Sequence, residues 1–242
     1  RPFKLLYGGD SRSNWSSRIQ MNHRISQLVD HDPSIIALIH GGDYISDGED
    51  WDDWEPWLIH HAETFGSDRR ILPIVPARGN HEGDAVLYNE VFAFPGGDYN
   101  RNYWVSQIGS QTRFLNLDTE APQSGDQKHW LNATLSDAQQ EVKWLLVNYH
   151  RPAWPAVKNP SGALEHWVPL FEQYNVDLVC ESDGHVLKRT LPIRNNQYDP
   201  TGIVYVGEGG LGVSQRTPND DKWYLQSPGM AYKGHHVQLL EF

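Results

Sequence analysis

Residues 34–48 read SIIALIHGGDYISDG, an apolar run of strand length that stops at Gly41-Gly42 and delivers Asp43 just past the turn. An unbroken run of Ile, Ala and Leu suits a strand buried on both faces, and paired glycines let the backbone turn sharply beyond it. The pattern recurs along the chain. KLLY precedes Gly9-Asp10, ILPIV precedes Asn80-His81 in ARGNHE, VKWLLV precedes His150 in NYHRP, and VDLV precedes Asp183 and His185 in ESDGH. Between the first two runs, Ile19, Ile25, Leu28 and Val29 fall at the spacing of a surface helix. An acidic stretch with Trp51, Trp54 and Trp57 on one helical face follows, and it reads as packing rather than as a substrate platform.

This strand–helix alternation predicts an α/β fold with helices laid on a sheet. NYWVSQIG and TRFLNLDTE read as a hairpin, DQKHWLNATL as the helix before VKWLLV, and VLKRTLPI, GIVYVGE and HHVQLLEF as closing strands. The middle and C-terminal parts therefore look more antiparallel than the first half. No repeat or linker divides the chain, so residues 1–242 are expected to form one domain.

Composition narrows the function classes. A formal charge of −11 argues against nucleic acid held by bulk electrostatics. It leaves an anionic substrate open, because bound cations would reverse the sign locally. No apolar run reaches the ~18 residues of a membrane span. The single cysteine, Cys180, excludes an intrachain disulfide and a cysteine-rich zinc site, and its place at the end of VDLVC predicts a buried strand residue. No Gly-x-Ser-x-Gly elbow is present. Gly207-x-Gly209-x-x-Gly212 follows a strand, but Pro218 and the lack of helical periodicity beyond it predict a glycine-rich loop and not a dinucleotide site. A start at Arg1 and an abundance of tryptophan carry an expectation of an extracytoplasmic hydrolase, secreted or periplasmic.

Aspartates, an Asn-His pair and further histidines, each placed after a strand, supply hard oxygen and imidazole donors. Converging on one sheet edge, they would form a cation cage. Without cations, two carboxylates at 4 Å repel by about 4 kcal/mol at an effective dielectric near 20. With them, bound water would fall from a pKa of ~15.7 towards ~7 and provide a nucleophile.

The order of these blocks resembles the calcineurin-like metallophosphoesterases, the family that includes purple acid phosphatases. The matching residues are Gly9-Asp10, Gly42-Asp43, Gly79-Asn80-His81-Glu82 and Tyr149-His150-Arg151-Pro152, with Val176-Asp177 and Arg189-Thr190 fixing the register of the last block. In that register His185 takes the second histidine of the family's Gly-His-x-His, and Asp183 replaces the first. The resemblance implies an αββα sandwich of two mixed β-sheets flanked by helices, with the ligands on loops at one edge. It implies two metal ions per chain (Mn, Fe, Zn or Mg). Asp10, Asp43 and His185 would hold the first, and Asn80, His150 and Asp183 the second, with Asp43 bridging. His81 would stabilise the transition state or protonate the leaving oxygen, with Asn14 at the substrate. Arg12 stands where many members have a ligating histidine. A guanidinium cannot ligate, so Arg12 either clamps a phosphoryl oxygen or forms a salt bridge to a site carboxylate. The tyrosine of the purple enzymes would fall at Ser46. The implied function is hydrolysis of phosphate mono- or diesters on a small phosphorylated substrate by metal-bound hydroxide. The alternative is a non-catalytic binding or scaffold protein with a degenerate centre.

Overall fold

The computed structural model describes residues 3–92, 101–219 and 221–242. In chain order its strands are β1 (Lys4–Gly8), β2 (Ile35–His40), β3 (Ile74–Pro76), β4 (Trp104–Ile108), β5 (Thr112–Asn116), β6 (Trp144–Tyr149), β7 (Leu178–Glu181), β8 (Leu187–Arg189), β9 (Ile193–Arg194), β10 (Gln197–Tyr198), β11 (Val204–Gly207), β12 (Met230–Tyr232) and β13 (Gln238–Glu241). The helices are α1 (Trp15–His31), α2 (Trp51–His61), α3 (Val86–Val91), α4 (Asp126–Glu141), α5 (Ala163–His166) and α6 (Val168–Gln173).

Two mixed sheets face each other. The smaller has the order β13-β1-β2-β3 and the larger β12-β8-β11-β7-β6-β5-β4; β9 and β10 form a separate short ladder. Side-chain alternation divides each strand between two cores. Leu5 and Tyr7, Ala37 and Ile39 from the small sheet meet Phe114, Leu146, Cys180 and Val206 from the large one. Leu6 and Leu38 point the other way, onto Ile25 and Val29 of α1. On the opposite outer face, Leu115, Val147, Val179 and Tyr205 pack against Leu131 and Leu135 of α4 and Phe171 of α6. The layers thus run helix, sheet, sheet, helix, as the family resemblance implied. Each fully buried Leu, Ile, Val or Phe among them contributes about 1.5–3 kcal/mol of hydrophobic stabilisation before conformational entropy is charged against it.

Local chemistry sets the element boundaries. Arg18, Asn22, Ile25 and Val29 form the buried stripe of α1. Asn14 caps its start, and Asp32, whose carboxylate accepts from the Ser34 amide at 2.9 Å, ends it just before Pro33. Trp54 and Trp57 of α2 are buried with Tyr44 and Tyr88, whereas Trp51 is about half exposed, so only two of the three tryptophans pack.

The antiparallel expectation for the middle of the chain needs correction. β4 and β5 form the expected hairpin, but β5, β6, β7 and β11 run parallel, and antiparallel pairing is confined to the flanks of the large sheet. The helices α4, α5 and α6 supply the crossovers that parallel pairing needs. The last strand, β13, leaves its neighbours in sequence and pairs antiparallel with β1. Parallel order brings the C-terminal ends of β1, β2, β6, β7 and β11 to one edge, and the loops leaving that edge carry the candidate ligands.

Candidate metal centre

Asp10, Asp43 and His150 are buried and present donor atoms that all lie within 4.8 Å of one another. They come from the loops after β1, β2 and β6, the strand ends picked out in the sequence. Backbone conformation at these positions is unusual: Asp10, Asp43, Asp183 and His185 all have positive φ, between 52° and 68°. Non-glycine residues held there cost of order 1 kcal/mol each, and four among the proposed ligands mark a place where loops are aimed rather than relaxed. Close packing enforces the aim. A Cβ on Gly209 would stand 1.9 Å from an Asp10 carboxylate oxygen. The glycine-rich loop after β11 thus passes beside the first ligand, and among the described residues no α-helix follows it.

Hydrogen bonds orient each donor. His150 donates from Nδ1 to the Gly41 carbonyl at 2.8 Å, which turns Nε2 toward Asp43 Oδ1 at 3.2 Å, Asn80 Oδ1 at 3.2 Å and Asp183 Oδ1 at 3.6 Å. His185 repeats the device: Nδ1 donates to the Ser214 carbonyl at 3.1 Å, and Nε2 faces Asp10 Oδ1 at 3.2 Å. Locking Nδ1–H on a carbonyl leaves the Nε2 lone pair of a neutral ring directed at an oxygen, the arrangement seen where histidine ligates a metal. Asp10 Oδ1 is buried and accepts no hydrogen bond, while Oδ2 accepts from the Asp183 amide at 2.9 Å. Facing lone pairs around an orphaned carboxylate oxygen are tolerable only with a metal ion or a shared proton between them. Burial opposes charge on His150, but Asp43, Asp183 and Asp10 outweigh it and hold its pKa well above the usual histidine range. The site thus attracts positive charge strongly, whether a proton or a metal ion supplies it. Hard carboxylate and amide oxygens with imidazole nitrogens suit Mn, Fe, Zn or Mg.

The remaining predicted residues surround this group. Asn80 and His81 begin a short 3₁₀ turn with Glu82. The His81 amide donates to Asp43 Oδ1 at 3.1 Å and its Nδ1 to the Ser46 carbonyl at 2.7 Å. Its Nε2 stays 4.0 Å from Asp43 Oδ2, on a side chain 31% exposed, beside the cage and open to solvent. Arg12 Nε lies 3.2 Å from Asp43 Oδ2, so its guanidinium makes the salt bridge to a site carboxylate. Asn14 is engaged elsewhere: its Oδ1 accepts from the Ser17 amide at 3.1 Å as the cap of α1. Tyr44 is buried and stacks on His40 at 3.9 Å between ring centres, away from the donor atoms.

Two residues were given no role in the sequence reading: Glu82, which lies in the matched block, and Lys158. Glu82 is fully buried and accepts from the amides of Asp43 (3.0 Å), Tyr44 (2.9 Å) and Gly79 (2.5 Å), tying the Asp43 and Asn80 loops together. Burial and the nearby Asp43 push its pKa up to about 8. Lys158, in the loop after β6, places Nζ 2.5 Å from Asp183 Oδ1. Its signal was present: an aspartate in place of a neutral histidine adds a charge, and Lys158 is the sole Lys or Arg between Arg151 and Lys188.

The sequence profile of the calcineurin-like phosphoesterases matches residues 12–188. The chain belongs to this family. Purple acid phosphatase 23 of Arabidopsis thaliana is 28% identical, over 98% of this chain and 57% of its own length. An uncharacterised protein of Mycobacterium tuberculosis is 27% identical over 68% of this chain and 33% of its own. The chain thus spans a third to a little over half the length of these relatives. Among solved structures, a purple acid phosphatase from yellow lupin seeds superposes with a TM-score of 0.82 at 18% identity, covering 100% of this chain and 49% of that one. GAP50, the anchor in the inner membrane complex of Plasmodium, gives 0.76 at 14% identity, covering 99% and 81%. At such identities the likeness is one of fold. The family and the αββα architecture agree with the sequence reading, and no helix among the described residues is long and apolar enough to cross a membrane.

Proposed function

We propose that the chain hydrolyses esters of a small phosphorylated substrate, with Asp10, Asp43, Asn80, His150, Asp183 and His185 holding the catalytic cation or cations. The observation that carries this reading is the pair of imidazoles whose Nδ1 atoms are fixed on carbonyls while both Nε2 atoms face carboxylate oxygens at 3.2 Å. A divalent cation bound there would polarise the phosphoryl group and make a water available as nucleophile near neutral pH.

The chain's own groups have distinct tasks. The amides of His81 and Asp183 fix the Asp43 and Asp10 carboxylates. Glu82 holds two of the loops in register. His81, anchored on Ser46 and exposed at Nε2, is placed to pass a proton to the leaving oxygen. Arg12 keeps two guanidinium nitrogens beyond the Nε that meets Asp43, and these are suited to a phosphoryl oxygen.

A second reading, a binding protein with a degenerate centre, draws on the ion pairs at Arg12 and Lys158, which partly neutralise the carboxylates. One relative, 24% identical over 82% of this chain, is named a probable inactive purple acid phosphatase. Metal analysis with a panel of chromogenic mono- and diesters separates the two. Turnover that needs added Mn²⁺, Zn²⁺ or Fe and disappears in His150→Ala supports the enzyme. Stoichiometric phosphate binding with no turnover under any of these metals would favour the binding protein.

A further inference from the structure

The oxygen of Asp183 aimed at His150 is the same oxygen that Lys158 holds. Oδ1 lies 3.6 Å from His150 Nε2 and 2.5 Å from Lys158 Nζ. Lys158 thus adds a unit of positive charge at the point where Asp43, Asn80, His150 and Asp183 would gather around an ion. The other half of the centre has no equivalent among the described residues: at Asp10 Oδ1 the facing group is the His185 imidazole, 3.2 Å away. Arg12 meets Asp43, which serves both halves, so it does not tell them apart. The two halves are therefore unequal. A cation approaching Asp183 must share its oxygen with an ammonium or displace it, because like charges at this range repel. Displacement is feasible, since the Lys158 side chain is 37% exposed and sits on a flexible four-carbon stem.

We infer that Lys158 is the resident counter-cation of the Asp183 half, so that the centre holds one metal ion tightly and a second only weakly, when the ammonium swings out. This rests on the metal-centre reading above and specifies its stoichiometry. Lys158 is a positioning residue in this account: it acts on the ion through Asp183. When the second ion is absent, its two N–H groups not used on Asp183 remain to meet an anionic ligand.

Calorimetric titration of chelator-stripped full-length protein with Mn²⁺ alone tests this without reference to activity. The wild type should show one tight class near one ion per chain and a distinctly weaker second class. Lys158→Met should tighten the second class by roughly 10- to 100-fold, the range over which groups just outside a metal's ligands shift affinity. Lys158→Arg, which keeps the charge, should match the wild type. Lys158→Gln, nearer in polarity, should reproduce the tightening and serves if the methionine variant folds poorly. Two ions of equal affinity in the wild type, or neutral variants within twofold of it at the weak site, would overturn the inference while leaving the metal centre intact. Failure of the wild type to bind Mn²⁺ or Zn²⁺ at all would remove both.

Discussion

Two buried charge clusters lie within a few residues of each other, and they are built in opposite ways. The donor group of Asp10, Asp43, His150 and His185 turns lone pairs toward lone pairs and leaves Asp10 Oδ1 without a hydrogen bond. The other cluster is built around a buried ammonium. Lys188, fully buried, donates to Glu181 at 2.5 Å, Glu208 at 2.7 Å and the Trp154 carbonyl at 2.8 Å. Glu181 also accepts from the Tyr149 hydroxyl at 2.6 Å and the Ala153 amide at 2.7 Å. All three N–H bonds of the ammonium are satisfied, so this cluster carries its own cation, although Glu208 Oε2 is left without a hydrogen-bond partner. It braces the loop that carries Asp183 and His185: the Glu208 side chain packs on Gly184, and the Glu208 carbonyl accepts from the His185 amide at 2.7 Å. Burial alone therefore does not mark a ligand site. Orientation of the lone pairs, and whether a cation is already supplied, separates the two kinds of cluster.

The sharpest way to break this contrast is to delete a charge from each. Asp43→Asn should lower kcat/KM by at least ~10³-fold, corresponding to several kcal/mol of lost Lewis-acid stabilisation, with little loss of fold stability. Lys188→Met should do the reverse to stability, costing about 3–5 kcal/mol in urea unfolding because two buried carboxylates lose their partner. A stable Lys188→Met protein would show that the ammonium cluster is not the brace described here. His81→Gln should lower kcat by ~10²- to 10³-fold yet leave Mn²⁺ affinity within twofold, as a proton donor outside the ligand set would.

A smaller effect concerns pH. Burial, only partly offset by Lys188, raises the Glu208 carboxyl to about 7 from an unfolded value near 4.5. The folded state therefore binds more protons than the unfolded state between these limits. Stability from this group is fully present below about 4.5 and declines as pH rises through about 7, by roughly 3 kcal/mol. Unfolding of metal-free wild type and Glu208→Gln across that window should differ in slope, with the variant flatter. Equal slopes would remove Glu208 from the account. The smallest change belongs to Asn14→Ala, expected to cost about 1 kcal/mol as a lost helix cap and to leave KM within twofold. A large rise in KM would instead return Asn14 to the substrate.

Much of the centre was legible because its grammar is local. An apolar run leads to a donor residue at Asp10, Asp43, Asn80 and His150, with a glycine immediately before the first three, and the strand that ends there positions the side chain. Asp183 and His185 were reachable only by sliding the last block two residues, with Arg189-Thr190 as the anchor. Lys158 stood out only as the one Lys or Arg between Arg151 and Lys188; its pairing was not legible, because Asp183 lies 25 positions away with α5, α6 and β7 between them. Lys188, Glu181 and Glu208 escaped for a different reason: charged residues in short strands or at their ends read as solvent-facing until the fold buries them. The parallel order of β5, β6, β7 and β11 was missed because short strands look alike in either direction, and only the connecting helices decide.

Crystals of Mn²⁺-loaded protein, measured for anomalous scattering at the manganese edge, test the central claim most directly. The account predicts an anomalous peak bonded jointly by Asp10, Asp43 and His150 or His185. Anomalous density elsewhere, with those carboxylates and imidazoles bridged only by water or protons, would contradict it.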